Sequence, residues 1–163
     1  VNQGRDQDDN KKETEPMFEI YTSIEIEATP KEVWKALTDT DRYSQWNPFI
    51  KRINGELKEG ATIEVFIQPV GEKGMTFRPK VISCIPGQEL RWLGKVFVPG
   101  LFDGEHGFEI EDLGEGKVKF IHKERFQGLL VPFLKSKLNN GTRKGFEAMN
   151  QALKSYVESD SNR

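Results

Sequence analysis

The stretch VPFLKSKLNNGTRKGFEAMNQALKSYVE, residues 131–158, decides how the rest of the chain is arranged. Plotted at 100° per residue it reads as one long amphipathic helix. One face gathers Leu134, Leu138, Gly141, Gly145, Ala148, Met149, Ala152 and Tyr156, and the opposite face gathers Arg143, Glu147, Asn150, Gln151 and Lys154. A helix divided in this way lies on an apolar surface. At about 1.5 Å of rise per residue it spans roughly 40 Å, enough to cover a sheet. Glycine inside a helix costs about 0.5–1 kcal/mol relative to alanine, so Gly141 and Gly145 need a physical reason. Two reasons fit: close approach of the helix backbone to a sheet, or space beneath the helix for a ligand.

Working outward, the chain before this helix is mostly strand. Residues 18–28 alternate, with Ile20, Ile24, Ile26 and Ala28 on one side and Glu19, Glu25 and Glu27 on the other, the period of a half-buried strand. Thr29-Pro30-Lys31-Glu32 reads as an N-cap, a proline in the first turn and an acidic start to a short helix carrying Val33, Trp34 and Leu37. A second short helix runs through Tyr43 and Trp46 and stops at Asn47-Pro48. Strands are expected at 49–57, 61–68, 75–85, 89–98, 101–112 and 117–126, separated by turns rich in glycine and proline. Short turns require antiparallel pairing. The fold class is therefore α+β: a curved antiparallel sheet of about seven strands, two short helices after the first strand, and the long C-terminal helix as its cover. A single domain is expected over 17–159. Residues 1–16 contain no aliphatic residue after Val1 and no aromatic, so they read as a disordered polar tail, and 160–163 as a disordered end.

Charge and composition narrow the function. The chain carries 24 Lys and Arg against 26 Asp and Glu, a net charge of −2, and without the tail the body is about neutral. That balance argues against a nucleic-acid partner. Cys84 is the single cysteine, which excludes an intramolecular disulfide and a Cys-rich zinc site. No apolar run is long enough to span a bilayer, so stable membrane insertion is not expected. No signal peptide is visible and a cytoplasmic location is expected, although the sequence begins at Val1 rather than Met, which leaves a removed leader as an alternative.

The last two strands hold the chemistry. If their turn centres on Gly114, Ile110 faces Val118, Phe108 faces Phe120, and His106 faces His122, all on one buried face. Glu124 and Phe126 continue that parity. Both histidines then point into the space between helix and sheet. Three accounts of His106, His122 and Glu124 follow from residue type: hydrogen-bonded polar groups in a core or wet mouth, a cluster that orients one end of an apolar ligand, or an acid–base site with Glu124 orienting a histidine or shuttling its proton. Adjacent-strand spacing is not a standard metal-ligand motif, so neither metal nor cofactor is expected. The ligand space would be lined by Phe77, Val81, Trp92, Phe108, Phe120, Leu138, Gly141, Gly145 and Met149. Trp34 and Trp46 serve as anchors for the short helices.

IEIEATP (24–30) with Val33-Trp34, DRYSQWNPF (41–49), PGQELRW (86–92), EHGFEI (105–110) and KERFQG (123–128) before a long helix resemble the START-like, Bet v 1-like (SRPBCC) superfamily. Within it they look most like the polyketide cyclase/dehydratase branch. The resemblance covers about residues 18–158 and implies a helix-grip fold whose cavity takes a small hydrophobic molecule such as a lipid, a polyketide or an aromatic compound. It also implies two alternatives, a cyclase/dehydratase-like enzyme using the His/Glu cluster and a chaperone-ATPase activator-like interaction module, because one fold hosts many activities.

Overall fold

The computed structural model describes residues 17–69, 71–95 and 101–161, giving the backbone alone for Lys137, Leu138 and Ser161. The expected tail at 1–16 lies outside these residues, as do 162 and 163. In chain order the elements are β1 (Met17–Ile26), α1 (Pro30–Thr38), a 3-10 turn (Thr40–Arg42), α2 (Tyr43–Trp46), β2 (Ile50–Asn54), β3 (Glu64–Ile67), β4 (Met75–Phe77), β5 (Lys80–Ile85), β6 (Glu89–Lys95), β7 (Asp103–Gly114), β8 (Lys117–Gln127) and α3 (Val131–Ser161). This is the α+β helix-grip architecture, with eight strands where about seven were expected. The extra one arises at Arg78-Pro79, where the run expected at 75–85 divides into β4 and β5. Proline has no N–H for a ladder.

The strands form a five-stranded antiparallel sheet, ordered β1-β8-β7-β6-β5, and a three-stranded sheet, β2-β3-β4. An isolated bridge between Thr62 and Lys80 joins them, helped by backbone bonds from Val81 N to Ala61 O and from Ile63 N to Pro79 O. The two short helices are held locally. Thr29 accepts a hydrogen bond from Glu32 N while the Glu32 carboxylate accepts from Thr29 N, a reciprocal cap that contributes about 0.5–2 kcal/mol. Tyr43 is fully buried and donates to Leu37 O at 2.6 Å. Trp46 stacks on Tyr156 of α3, with ring centroids 5.7 Å apart. The Asn47 side chain accepts from Phe49 N and Ile50 N, and this turn delivers the Phe49 ring to α3.

The long helix extends to Ser161, and its buried face is rotated from the expected one by about one residue, roughly 100°. Phe146, Met149, Asn150, Leu153 and Val157 are buried. Asn150, expected on the polar face, is 2% exposed. The stripe is centred on bulky residues at i, i+3, i+4 and i+7 spacing rather than on the glycines and alanines. The polar face has a structural task of its own. Arg143 donates to Tyr21 O, Lys154 donates to Glu25 O, and the Glu158 carboxylate accepts from Glu27 N. These bonds occupy backbone groups of β1, the edge strand of the larger sheet, and of Glu27 just beyond it, which would otherwise be open to pairing with another chain.

Gly145 is explained by contact rather than by empty space. A Cβ there would lie 2.3 Å from Cδ2 of Phe49 and 3.0 Å from its Cγ. Gly141 is different, since its Cβ would meet only the Glu72 carboxylate, at an ordinary 3.6 Å. Gly145→Ala should therefore destabilise the fold by about 1–3 kcal/mol through overpacking, despite the better helix propensity of alanine, whereas Gly141→Ala should stabilise it by up to about 1 kcal/mol. Urea denaturation of the two variants checks both signs, and Phe49→Leu should recover part of the Gly145→Ala loss.

Candidate functional site

The inner face of β7 and β8 follows strand alternation. His106, Phe108 and Ile110 share it with Val118, Phe120, His122, Glu124 and Phe126. The register differs from the expected one by two residues: His106 pairs with Glu124, Phe108 with His122, and Ile110 with Phe120. The cause is the turn. Glu115 and Gly116 both take positive φ, 54° and 73°, as a two-residue I′ hairpin requires, and the register shifts between Asp112 and Gly114. Because the slip is an even number, every side chain stays on its expected face. The histidines meet diagonally instead of directly across.

The two rings form a buried pair, His106 being 1% exposed and His122 fully covered. Their Nε2 atoms lie 2.9 Å apart. Nδ1 of His122 lies 3.1 Å from Oδ1 of Asn150, on α3. Nδ2 of Asn150 donates to Oγ1 of Thr22 on β1 at 3.0 Å, and the Thr22 hydroxyl donates to the backbone oxygen of His122 at 3.0 Å. Phe146 stacks on His122 with centroids 3.6 Å apart, and Trp92 stacks on His106 at 4.8 Å and 6°. Burial, reinforced by the neighbouring His106, pushes His122 well below the usual histidine range against the opposing pull of Asn150. His122 is therefore a neutral imidazole at physiological pH.

The other end of the pair is more open. Nδ1 of His106 stands 3.5 Å from Oε2 of Glu124, close enough for an ion pair with a charged ring but without a hydrogen bond, so this buried nitrogen has no hydrogen-bond partner among the described residues. The Glu124 side chain is 18% exposed. Gly104 makes room for it, since a Cβ there would sit 3.0 Å from Oε1 of Glu124. Gly94 pairs with Gly104 across β6 and β7, and its Cβ would find only Gly104 O and Pro79 Cβ, both at 3.8 Å. Among the described residues, chain neighbours apart, nothing lies closer than 3.8 Å to the place of that missing Cβ. Phe126 borders the glycine pair, stacked between Phe18 and Phe102. Imidazole, imidazole and carboxylate in series are groups that accept and pass protons.

Of the residues singled out in the sequence, His106, His122 and Glu124 come together. Val81, Trp92, Phe108, Phe120 and Met149 are buried in the common core. Phe77 stands apart on β4, half-buried and paired with Val65 in the smaller sheet. Gly145 lies against Phe49, Gly141 is half-exposed beside Glu72, and the side chain of Leu138 is outside the described residues. Around the histidines the space under α3 is filled by Phe146 and Phe49, whose rings meet edge to face at 5.6 Å. Two surface hollows, of about 220 Å³ between α1 and the end of α3 and about 490 Å³ beside β2 and β3, lie away from the histidine pair. Sequence reasoning missed Thr22, Phe146 and Asn150. The spacing of Phe146, Met149, Asn150 and Leu153 was the available signal, and the small residues drew the wheel away from it.

The model of a family described as polyketide cyclase/dehydrase and lipid transport matches residues 17–158. No sequence among the curated proteins matches the chain. Among solved structures, the chain is similar to the Zhui aromatase/cyclase from a Streptomyces species, with 14% identity, a TM-score of 0.70, and coverage of 90% of this chain and 96% of that one. It is similar to a START superfamily protein from Mycobacterium smegmatis, with 19% identity, a TM-score of 0.66, and coverage of 86% and 97%. Norcoclaurine synthase from Thalictrum flavum, in complex with dopamine and hydroxybenzaldehyde, gives 12% identity, a TM-score of 0.68, and coverage of 90% and 89%. At these identities the likeness shows the fold. Among the described residues no helix is long and apolar enough to cross a membrane.

The depressed pKa of His122 has a consequence for stability. The unfolded chain takes up a proton near the ordinary value of 6.5, and the folded chain refuses it. Stability contributed by neutral His122 is therefore present above about pH 6.5 and is lost as pH falls below it, at up to about 1.4 kcal/mol per pH unit. Urea unfolding between pH 7.5 and 5 should show this decline, and His122→Gln should remove one proton from the slope.

Proposed function

The chain belongs to the polyketide cyclase/dehydrase and lipid transport family, and from that premise we propose that it binds a small hydrophobic molecule between the sheet and α3. The site lies where Trp92, His106 and Glu124 adjoin the Gly94–Gly104 pair. The observation that carries this proposal is Nδ1 of His106, a buried polar atom without a hydrogen-bond partner among the described residues, beside a partly exposed carboxylate and the glycine pair Gly94 and Gly104. An orphaned buried group costs about 1–3 kcal/mol, and a ligand polar group offsets that cost. Apolar walls with a few convergent polar groups are the usual build of a small-molecule site. Val81, Phe108, Phe120 and Met149 form the wall behind it, and a lipid, a polyketide or an aromatic compound is the ligand class that fits such a lining.

A second proposal is catalysis of the cyclase/dehydratase kind. The series Glu124, His106, His122 favours it, because a carboxylate at the open end and a buried imidazole behind it form an acid–base pair. In this proposal His106 takes or gives the proton at the ligand, Glu124 balances the resulting charge or shuttles the proton outward, and His122 holds the His106 ring.

Two experiments separate the proposals. Gly94→Leu places a side chain at this position, where its Cβ meets ordinary contacts at 3.8 Å among the described residues, and a variant shown by circular dichroism to be folded should lose a co-purifying apolar compound in native mass spectrometry, or lose binding of a solvatochromic dye by at least about tenfold. Retained binding in folded Gly94→Leu defeats the site. His106→Gln and Glu124→Gln should each slow turnover of an aromatic or polyketide-like substrate by about 10²–10⁴-fold if the cluster performs acid–base catalysis, and should change affinity alone if the protein is a binder.

A further inference from the structure

With both imidazoles neutral, the hydrogen bonds around them are satisfied by one arrangement of protons. Thr22 and His122 are direct partners across β1 and β8, and the one hydrogen of the Thr22 hydroxyl goes to the backbone oxygen of His122. Oγ1 of Thr22 is then an acceptor toward α3, and the Asn150 amide must present its NH₂ there. That orientation turns Oδ1 of Asn150 toward Nδ1 of His122. A carbonyl oxygen carries no hydrogen, so Nδ1 of His122 carries it. A neutral imidazole has one N–H, hence Nε2 of His122 is bare and accepts from Nε2 of His106. The N–H of His106 is thereby used, and its Nδ1 is left as a bare acceptor facing Glu124.

We infer that Thr22 and Asn150 are positioning residues, which hold both imidazoles in one tautomeric sense and so make Nδ1 of His106 the proton-accepting end of the chain. The inference rests on the proposal that this end meets the ligand, and it adds a chemical class. Nδ1 of His106 and the Glu124 carboxylate already face each other at 3.5 Å with no hydrogen bond between them, so a docking group that brings a hydrogen, as an alcohol, enol or phenol does, satisfies the pair, whereas a carbonyl or carboxylate adds a further lone pair. If the ligand hydroxyl gives its proton to Nδ1, the ring becomes an imidazolium with both N–H groups used, one toward Nε2 of His122 and one toward the reacting oxygen or Glu124. No other bond in the chain has to change. The opposite sense would need the Asn150 amide to turn over and the Thr22 hydroxyl to turn away from the His122 carbonyl, leaving two oxygens 3.0 Å apart with no hydrogen between them.

Long-range ¹H–¹⁵N correlation spectra of the full chain, labelled at histidine, read the tautomers without any ligand. In the wild type His122 should be protonated at Nδ1 and His106 at Nε2, each by at least tenfold over the other tautomer. Thr22→Val is close in shape and removes the hydroxyl, so it should bring the His122 tautomers to within threefold of each other, whereas Thr22→Ser should restore the wild-type spectrum. A wild-type His122 protonated at Nε2, or a Thr22→Val spectrum unchanged from wild type in a folded protein, would overturn the assignment. Equilibrium dialysis with 2-naphthol, naphthalene and 2-naphthoate tests the ligand class. The naphthol should bind at least tenfold more tightly than the other two, with the advantage falling below threefold in Thr22→Val. Equal binding of all three overturns the ligand class while leaving the binding site standing, and binding of none removes the site as well.

Discussion

Burying two imidazoles side by side under a helix is the constraint on which the rest of the molecule depends. Each ring nitrogen placed in the core needs a partner or leaves an unpaid desolvation cost of about 1–3 kcal/mol. His122 meets this with Asn150 on one side and His106 on the other. With the Asn150–Thr22 bond they link four elements, since Thr22 lies on β1, His106 on β7, His122 on β8 and Asn150 on α3. The Phe146 ring, stacked on His122 at 3.6 Å, adds an apolar contact along the same line. The angle at which α3 turns its face to the sheet is therefore set by a polar network as well as by apolar area. A helix rotated by one residue would bring the small residues inward and leave the His122 ring without its amide.

The same rotation accounts for features that otherwise look unrelated. With Phe146 and Asn150 pointing inward, Gly145 falls at the border of the buried face, where the Phe49 ring needs the space of a missing Cβ. Arg143, Lys154 and Glu158 fall at the opposite border, within reach of the free backbone groups of β1 and of Glu27 just beyond it. Polar residues on that flank protect an edge strand that the fold leaves open. At the far end of the sheet the paired glycines of β6 and β7 act in the other direction. They remove side chains from the inner face beside Glu124, the partly exposed member of the polar chain. The hydrogen-bonded end of the chain at Thr22 and Asn150 and the partly exposed end at Glu124 belong to one arrangement.

Much of this was legible in the linear chain. Period-2 alternation placed His106, His122 and Glu124 on one buried face, and that assignment survived a register error because a slip of two residues preserves parity. The capping box at Thr29 and Glu32 formed as its residue types require. The error in the hairpin was a local one of turn geometry. A centre on Gly114 seemed natural among three turn-formers, but positive φ at Glu115 and Gly116 moves the turn onward and inserts a bulge. The division of 75–85 into β4 and β5 turned on Pro79, whose missing N–H was visible in the sequence and was outweighed there by a continuous alternation.

By itself, then, the sequence determined the class of fold, the order of its elements, the cover provided by the long helix and the inward direction of the histidines, because these follow from short-range periodicity and turn chemistry. Only the tertiary structure decided which face of α3 meets the sheet, which neighbours the histidines bond, and where two glycines pair across the sheet. Those outcomes depend on the satisfaction of polar atoms between residues as far apart as Thr22, His122 and Asn150, and on whether a missing Cβ admits an aromatic ring, as at Gly145, or would meet only ordinary contacts, as at Gly94. An asparagine in an amphipathic helix scores as a surface residue in any one-dimensional pattern. It becomes a core residue when a buried imidazole on another element, here His122, lies within hydrogen-bond reach of its amide.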